Sequence, residues 1–359
     1  MNNLKAISVA NTFKLPEPIT FAEPLGNGHI NTTFLVNGER YKFVLQQINH
    51  SIFKNVPALM ENIVLVTNHF QNKRMHLPHF YVPLTIIGDK QNNPYVIDNE
   101  NNYWRMYNYI PDSKTFLKVT DMAVAYEGGS LFGIFQNIVS DIQVDRLHTI
   151  LPDFHNLRHR LNQFSESLKV NFNNRNETVK KWIDFVYEHT EVMLYIQHLS
   201  DKKEIPLRLT HNDTKFNNIL FNSADKAISI IDLDTVMPGH IHFDYGDALR
   251  TAANYATEDE ADIKLIGFNR PIFEAYSAGF LAHTAKILTK TERETLQFAP
   301  SLLAFIMGLR FLTDYLNGDV YYKIQHENSN LHRAVNQLVY SAELLKNQNF
   351  IYNTIKQYL

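Results

Sequence analysis

The densest set of chemically useful side chains is Leu209-Thr210-His211-Asn212-Asp213-Thr214-Lys215-Phe216-Asn217-Asn218, followed by Ile230-Ile231-Asp232-Leu233-Asp234. Phosphoryl transfer needs a carboxylate beside the acceptor hydroxyl, oxygen ligands for Mg²⁺, and positive charge near the migrating group. Each role has a candidate here. Asp213, with Lys215 two residues on and Asn218 five residues on, fits the order H-x-D-x-K-x-x-N, and Asp232 follows nineteen residues later, after a β segment. A plain polar turn would use the same Asn, Asp and Thr residues without requiring that order. Far upstream, Pro24 to Thr33 contains Gly26-Asn27-Gly28, where glycines would let backbone N–H groups approach a nucleotide's phosphates. No G-x-x-x-x-G-K-[ST] sequence occurs, which excludes a Walker-type nucleotide site.

The elements that must position these residues fall into two parts. From Thr20 to Tyr109 the pattern reads as short strands: Phe34 to Val36, a two-residue Asn37-Gly38 turn, and Arg40 to Gln47 form a hairpin. Apolar residues at helical spacing (Leu59, Ile63, Val66, Phe70) predict a helix over Val56 to Phe70. Further strands are expected at Leu84 to Ile87, Tyr95 to Ile97 and Trp104 to Ile110. From Met122 onward the chain reads as mainly helical, with helices around 122–138, 178–199, 270–288, 291–316 and 331–359. Its one compact β segment is Leu207 to Asp232, which carries the reactive cluster. The expected organisation is an N-terminal part over 1–109 and a C-terminal part over 110–359, hinged near Tyr107 to Ser113.

Composition narrows the function classes. The 359 residues carry 34 Lys and Arg against 37 Asp and Glu, a net charge of −3, so no basic field attracts nucleic acid or an anionic membrane. With no cysteine, thiol catalysis and cysteine-ligated zinc are excluded. Met1 to Pro16 lacks a signal-peptide core, and the apolar run Leu302 to Leu309 stops short of a membrane span, so a cytoplasmic protein is expected.

The loop Gly26 to Thr33, Leu45-Gln46-Gln47, His211 to Asn218, Ile231 to Arg250 and Arg310-Phe311-Leu312 together resemble the aminoglycoside and choline kinase family. Within it, the sequence is most similar to the sugar 1-kinases of N-acetylhexosamines. The resemblance covers nearly the whole chain. It implies an α+β, two-lobed protein-kinase-like fold, with a small β-rich N-terminal lobe that binds nucleotide and a larger helical C-terminal lobe. It also implies transfer of the γ-phosphoryl group of ATP, with Mg²⁺, to the anomeric hydroxyl of N-acetylglucosamine or N-acetylgalactosamine. Asp213 would be the base or hydroxyl-orienting residue and Lys215 would lie near the transferring group. Asn218, Asp232 and Asp234 would serve the metal, and Gly26, Asn27, Gly28, Thr32 and Gln46 would serve the nucleotide. His29, Asn31, Asp213, Arg310 and Tyr321 would face the sugar. Relatives acting on an aminoglycoside, choline or homoserine hydroxyl are the alternative.

One departure stands out. Kinases of this fold usually carry a lysine on the third strand, whereas this chain reads Val44-Leu45-Gln46-Gln47. Strand alternation puts Lys42 on the same face as Gln46, from which it could reach in, and Glu61 is the only carboxylate on the following helix. Arg310, inside an apolar run, needs a partner, and Asp314 lies one helical turn on. His155 and His159 share the spacing of a zinc pair but read as a solvated helix face. His240, His242 and Asp244 would suit a metal-dependent hydrolase but leave the Asp213 cluster unexplained. Asp244 and Asp247 are expected to hold a loop and cap the next helix.

Overall fold

In the computed structural model, which describes residues 3–26 and 30–359, strand alternation builds a sheet from the first third of the chain. Strands β1 (Phe21–Pro24), β2 (Thr32–Asn37), β3 (Lys42–Ile48), β4 (Ile86–Ile87), β5 (Val96–Ile97) and β6 (Tyr103–Asn108) pair antiparallel, in the order β1-β2-β3-β6-β4, with β5 also on β6. One face buries Phe34, Val36, Phe43, Leu45, Trp104 and Met106 under helix α1 (Asn3–Ala10). Each large side chain so buried contributes about 1.5–3 kcal/mol. The opposite face carries Thr33, Gln46 and Arg105 as cross-strand neighbours.

The hairpin is present but its turn is not the two-residue one expected. Asn37 pairs with Lys42, leaving Gly38 to Tyr41 as the connection. The Glu17 carboxylate accepts the Arg40 and Tyr41 N–H groups at 2.7 and 2.8 Å, a distant side chain that replaces the local turn chemistry.

Helix α2 (Val56–Asn72) follows, capped by Asn55, and the chain leaves the sheet at Asn108. The rest comprises α3 (Met122–Val139), α4 (Leu157–Val170), α5 (Arg175–Thr178), α6 (Lys180–Met193), α7 (Tyr195–Asp201), α8 (Ile241–Ala252), α9 (Arg270–Thr284), α10 (Lys290–Thr295), α11 (Ala299–Leu316), α12 (Ser329–Lys346) and α13 (Gln348–Gln357). Between them lie β7 (Arg208–Thr210), β8 (Ile219–Phe221), β9 (Ala227–Ile230) and β10 (Met237–Gly239), paired β7 with β10 and β8 with β9. The single last helix expected over 331–359 is broken at Asn347. The stretch Lys290–Leu316 is long and apolar enough to cross a membrane, yet 78% of its apolar 18-residue window is buried within the protein, as a core helix is.

The core is continuous from the sheet into the helices, joining Ile48, Leu59 and Tyr107 to Phe132, Tyr245 and Phe280. Its axis is the close pair α3 and α9. A Cβ at Gly129 would lie 2.2 Å from the Tyr276 carbonyl oxygen, and one at Gly279 would lie 2.2 Å from that of Tyr126. Gly279→Val is therefore expected to cost about 3 kcal/mol by forcing the helices apart. Thermal unfolding checks this, and an unchanged Tm would refute the close contact.

Candidate active site

The loop after β7 is held from below by helix α8. Asp244 accepts the His211 N–H at 2.8 Å, the Asn212 N–H at 2.7 Å and the Gln136 amide at 2.6 Å. Burial pushes its carboxyl up to about 7, against those three donors. Asp247 accepts the Thr214 N–H at 3.0 Å and the Arg250 Nε–H at 2.9 Å, and Arg250 also pairs with Glu258. These carboxylates are spent on backbone, so they shape the loop rather than meet a ligand. His242 bonds Thr295, and His240 bonds Ser200 and the Pro206 carbonyl, so the hydrolase constellation does not assemble.

Within the loop, Asp213 meets Lys215 Nζ at 3.1 Å and accepts the Asn218 amide at 3.0 Å. Burial pushes the Asp213 carboxyl up, but the Lys215 charge and the Lys215 and Asn218 hydrogen bonds hold it below the usual carboxylate range. Asp213 in turn holds the Lys215 ammonium in its charged form. His211, kept neutral by burial, donates Nε2–H to the Ile231 carbonyl at 3.1 Å and accepts the Asp213 N–H at Nδ1. The Ile231 N–H donates to the Asn218 carbonyl at 3.0 Å, so the two reactive segments form one unit.

Asp232, two residues beyond β9, lies in the left-handed region, at φ +61°. Burial, with the Asp234 and Asp213 charges, pushes its carboxyl up to about 7, the state of a carboxylate crowded by its neighbours and short of cations. Among the described residues no group of three acidic or histidine side chains could hold an ion unaided. The Asp232 carboxylate and the Asn218 side-chain oxygen Oδ1, whose amide nitrogen alone is engaged, fit a Mg²⁺. Asp234 is already occupied: Arg105 pairs with Oδ1, and Asn31 donates to Oδ2 at 2.5 Å.

Asn31 also accepts the Asn49 N–H at 2.9 Å, so it clamps Asp234 rather than opening toward an acceptor. Gly26 adopts φ +70°, and the Leu25 N–H donates to the Thr33 carbonyl at 2.9 Å, closing the mouth of the loop before β2. Thr32 lies exposed at the start of β2. The expected contacts Asn27, Gly28 and His29 lie outside the described residues. Gln46 donates to Thr33 Oγ1 and accepts the Arg105 Nε–H, both at 3.0 Å. Lys42 does not reach in: it is exposed beside the Tyr109 ring. Glu61 bonds His148 instead of facing the sheet.

A cavity of about 600 Å³ is lined by Phe154, Arg160, Arg310, Asp314, Tyr321 and Tyr322 among others. Its wall is linked to the Asp213 loop through one residue, because Phe154 packs on His155, whose Nε2 lies 3.2 Å from the Asn212 carbonyl. His155 is thus buried, not on a solvated face. The expected Arg310–Asp314 pair is absent: Asp314 accepts the N–H groups of Val320, Tyr321 and Tyr322 and the Asn330 amide. Arg310 instead lies over the Phe154 and Tyr322 rings, and Arg160 bonds Gln163 and the Phe154 carbonyl. Tyr321 lines the same cavity.

A model of the phosphotransferase enzyme family matches residues 22–281. The chain belongs to this family. Among solved structures, it resembles an aminoglycoside phosphotransferase from Alicyclobacillus acidocaldarius (TM-score 0.61, 10% identity, 98% of this chain and 95% of that one). It also resembles a microcompartment-associated aminopropanol kinase (TM-score 0.60, 11% identity, 98% of both chains). A spectinomycin phosphotransferase in complex with ADP and spectinomycin gives TM-score 0.55 at 11% identity over 100% of this chain and 99% of that one. The fold is the protein-kinase-like one.

Sequence reasoning missed three groups of this phosphotransferase. Arg105, fully buried, is the charge inside an apolar strand whose Trp104 and Met106 point the other way; that parity was its signal. Asn62 on α2 donates to the Val236 and His148 carbonyls, both at 2.8 Å, and accepts the His148 N–H at 2.9 Å. Arg160 carried no local signal of a cavity, since its cavity neighbours Arg310 and Tyr322 come from α11 and the segment beyond it.

Proposed function

We propose that this phosphotransferase moves the γ-phosphoryl group of ATP to the anomeric hydroxyl of an N-acetylhexosamine, N-acetylglucosamine or N-acetylgalactosamine. The carrying observation is the cavity beside the catalytic loop, where Arg160 and Arg310 form no ion pair among the described residues. Two guanidiniums repel an aminoglycoside, choline or an amino alcohol, whereas they donate well to hydroxyls and to an acetamido carbonyl. The Phe154, Tyr321 and Tyr322 rings offer apolar surface to a sugar's C–H face.

In this reading Asp213 orients the attacking hydroxyl and takes its proton, while Lys215 keeps Asp213 ionised and stands near the migrating group. Asn218 and Asp232 would hold Mg²⁺, which when bound would supply positive charge to offset that of the phosphates. Asn218 also fixes the Asp213 carboxylate, so one side chain aligns base and metal site. Catalysis rests on positioning and charge, with no covalent intermediate. A cytoplasmic location accompanies the proposal.

The test is an ADP-release assay with Mg-ATP and a panel of N-acetylglucosamine, N-acetylgalactosamine, glucose, galactose, choline, homoserine and kanamycin, with phosphorus NMR of the product. Preferential turnover of the N-acetyl sugars to an anomeric phosphate is expected. Turnover of choline, homoserine or kanamycin alone would overturn the acceptor and leave the phosphotransferase chemistry standing.

A further inference from the structure

On the sheet face opposite α1, the buried positive charge sits one strand away from where the family resemblance puts a lysine. The cross-strand row Thr33, Gln46, Arg105 runs over β2, β3 and β6, so Arg105 is the direct neighbour of the glutamine that replaces the expected lysine. Gln46 is oriented by Thr33 so that its oxygen, not its amide, meets the guanidinium. That arrangement leaves the Arg105 charge unneutralised on the sheet side. The fork is divided: Nε goes to Gln46, Nη1 to Asp234, and Nη2 makes no hydrogen bond among the described residues.

We propose that Arg105 is the nucleotide-phosphate cation of this enzyme, gripping the α- and β-phosphates from β6 while holding Asp234 in place. The inference rests on the phosphotransferase reading above. Asp213, Asp232 and Asp234 converge on the site, and Lys215 is already paired with Asp213. A polyphosphate arriving there adds further negative charge, and Arg105, though paired with Asp234, keeps Nη2 without a hydrogen bond among the described residues to meet it. A guanidinium presents five donors in a planar fork, so one face can hold a carboxylate while another engages phosphate oxygens, which a lysine on β3 would do as a point charge. The Arg105 carbon CZ also lies 5.2 Å from the Tyr107 ring centre, which fixes the plane of the fork.

The experiment is calorimetric titration of the full chain with Mg-ADP and, separately, with adenosine, which carries no phosphate. Arg105→Gln is expected to weaken Mg-ADP binding about 10- to 100-fold, the worth of a charge-assisted hydrogen bond, and to leave adenosine affinity within about threefold. The exchange variant Gln46→Lys/Arg105→Gln, which moves the cation back to β3, is expected to restore most of the Mg-ADP affinity. Unchanged Mg-ADP binding in Arg105→Gln, equal loss of both ligands, or no recovery in the exchange variant would each overturn the proposal and leave Arg105 as a strut for Asp234. A native chain that binds neither ligand would instead overturn the phosphotransferase reading beneath it.

Discussion

Asp213→Asn is expected to lower kcat by about 10²–10⁴-fold, the usual contribution of a positioned general base, while the KM for ATP changes little. The side chain lies at the centre of the reactive loop, within 3.1 Å of Lys215 and 3.0 Å of Asn218. An amide keeps the shape and still accepts from Asn218, but it cannot take a proton and offers Lys215 no charge. Stability should hardly move, because Asp213 is partly open to solvent and no backbone N–H depends on it. Steady-state kinetics with the best acceptor from the panel decides the matter. A kcat within tenfold of the native value would remove Asp213 from the reaction.

Asp244→Ala acts through the scaffold rather than the chemistry, and its effect is expected to be comparably large. Three donors, the His211 and Asn212 N–H groups and the Gln136 amide, would lose their acceptor in a fully buried position. At about 1–3 kcal/mol for each stranded group, the loss of stability is at least about 3 kcal/mol. The loop that carries Asp213 would also shift, and displacement by 1 Å costs turnover about 100-fold. Urea unfolding and kcat should fall together. Asp244→Asn, which keeps one acceptor oxygen, is expected to lie between the two, so a variant that folds remains available. Native stability with native turnover in Asp244→Asn would show that α8 does not position the loop.

Much of the candidate centre's clustering could be read from the sequence because its residues lie close together along the chain. Asp213, Lys215 and Asn218 sit within one loop, and the structure brings Asp232 beside them through the short β8–β9 hairpin. The errors share a different origin. Asp314 stands at helical spacing from Arg310, but the three N–H groups of residues 320–322 claim it, and nothing local forecasts how the chain returns. The Asn37-Gly38 turn was a sound local inference overruled by Glu17, twenty residues upstream of the turn. Arg105 was visible as a misplaced charge, but its meaning depends on Gln46 and Asp234 being its neighbours. Alternation and spacing reveal faces and loops, whereas partners drawn from distant segments become visible only in the folded chain.

Asn62 has a consequence for how this catalyst is governed. Signalling kinases are switched by moving the helix that corresponds to α2. Here that helix is tied to the segment just beyond Asp234 and to His148 by three hydrogen bonds from one buried side chain. Swinging it away would strand groups worth at least about 3 kcal/mol, so an effector would have to favour the displaced state more than about 100-fold to populate it. Short of such an effector the helix stays docked, and flux through the converter follows the supply of what it consumes.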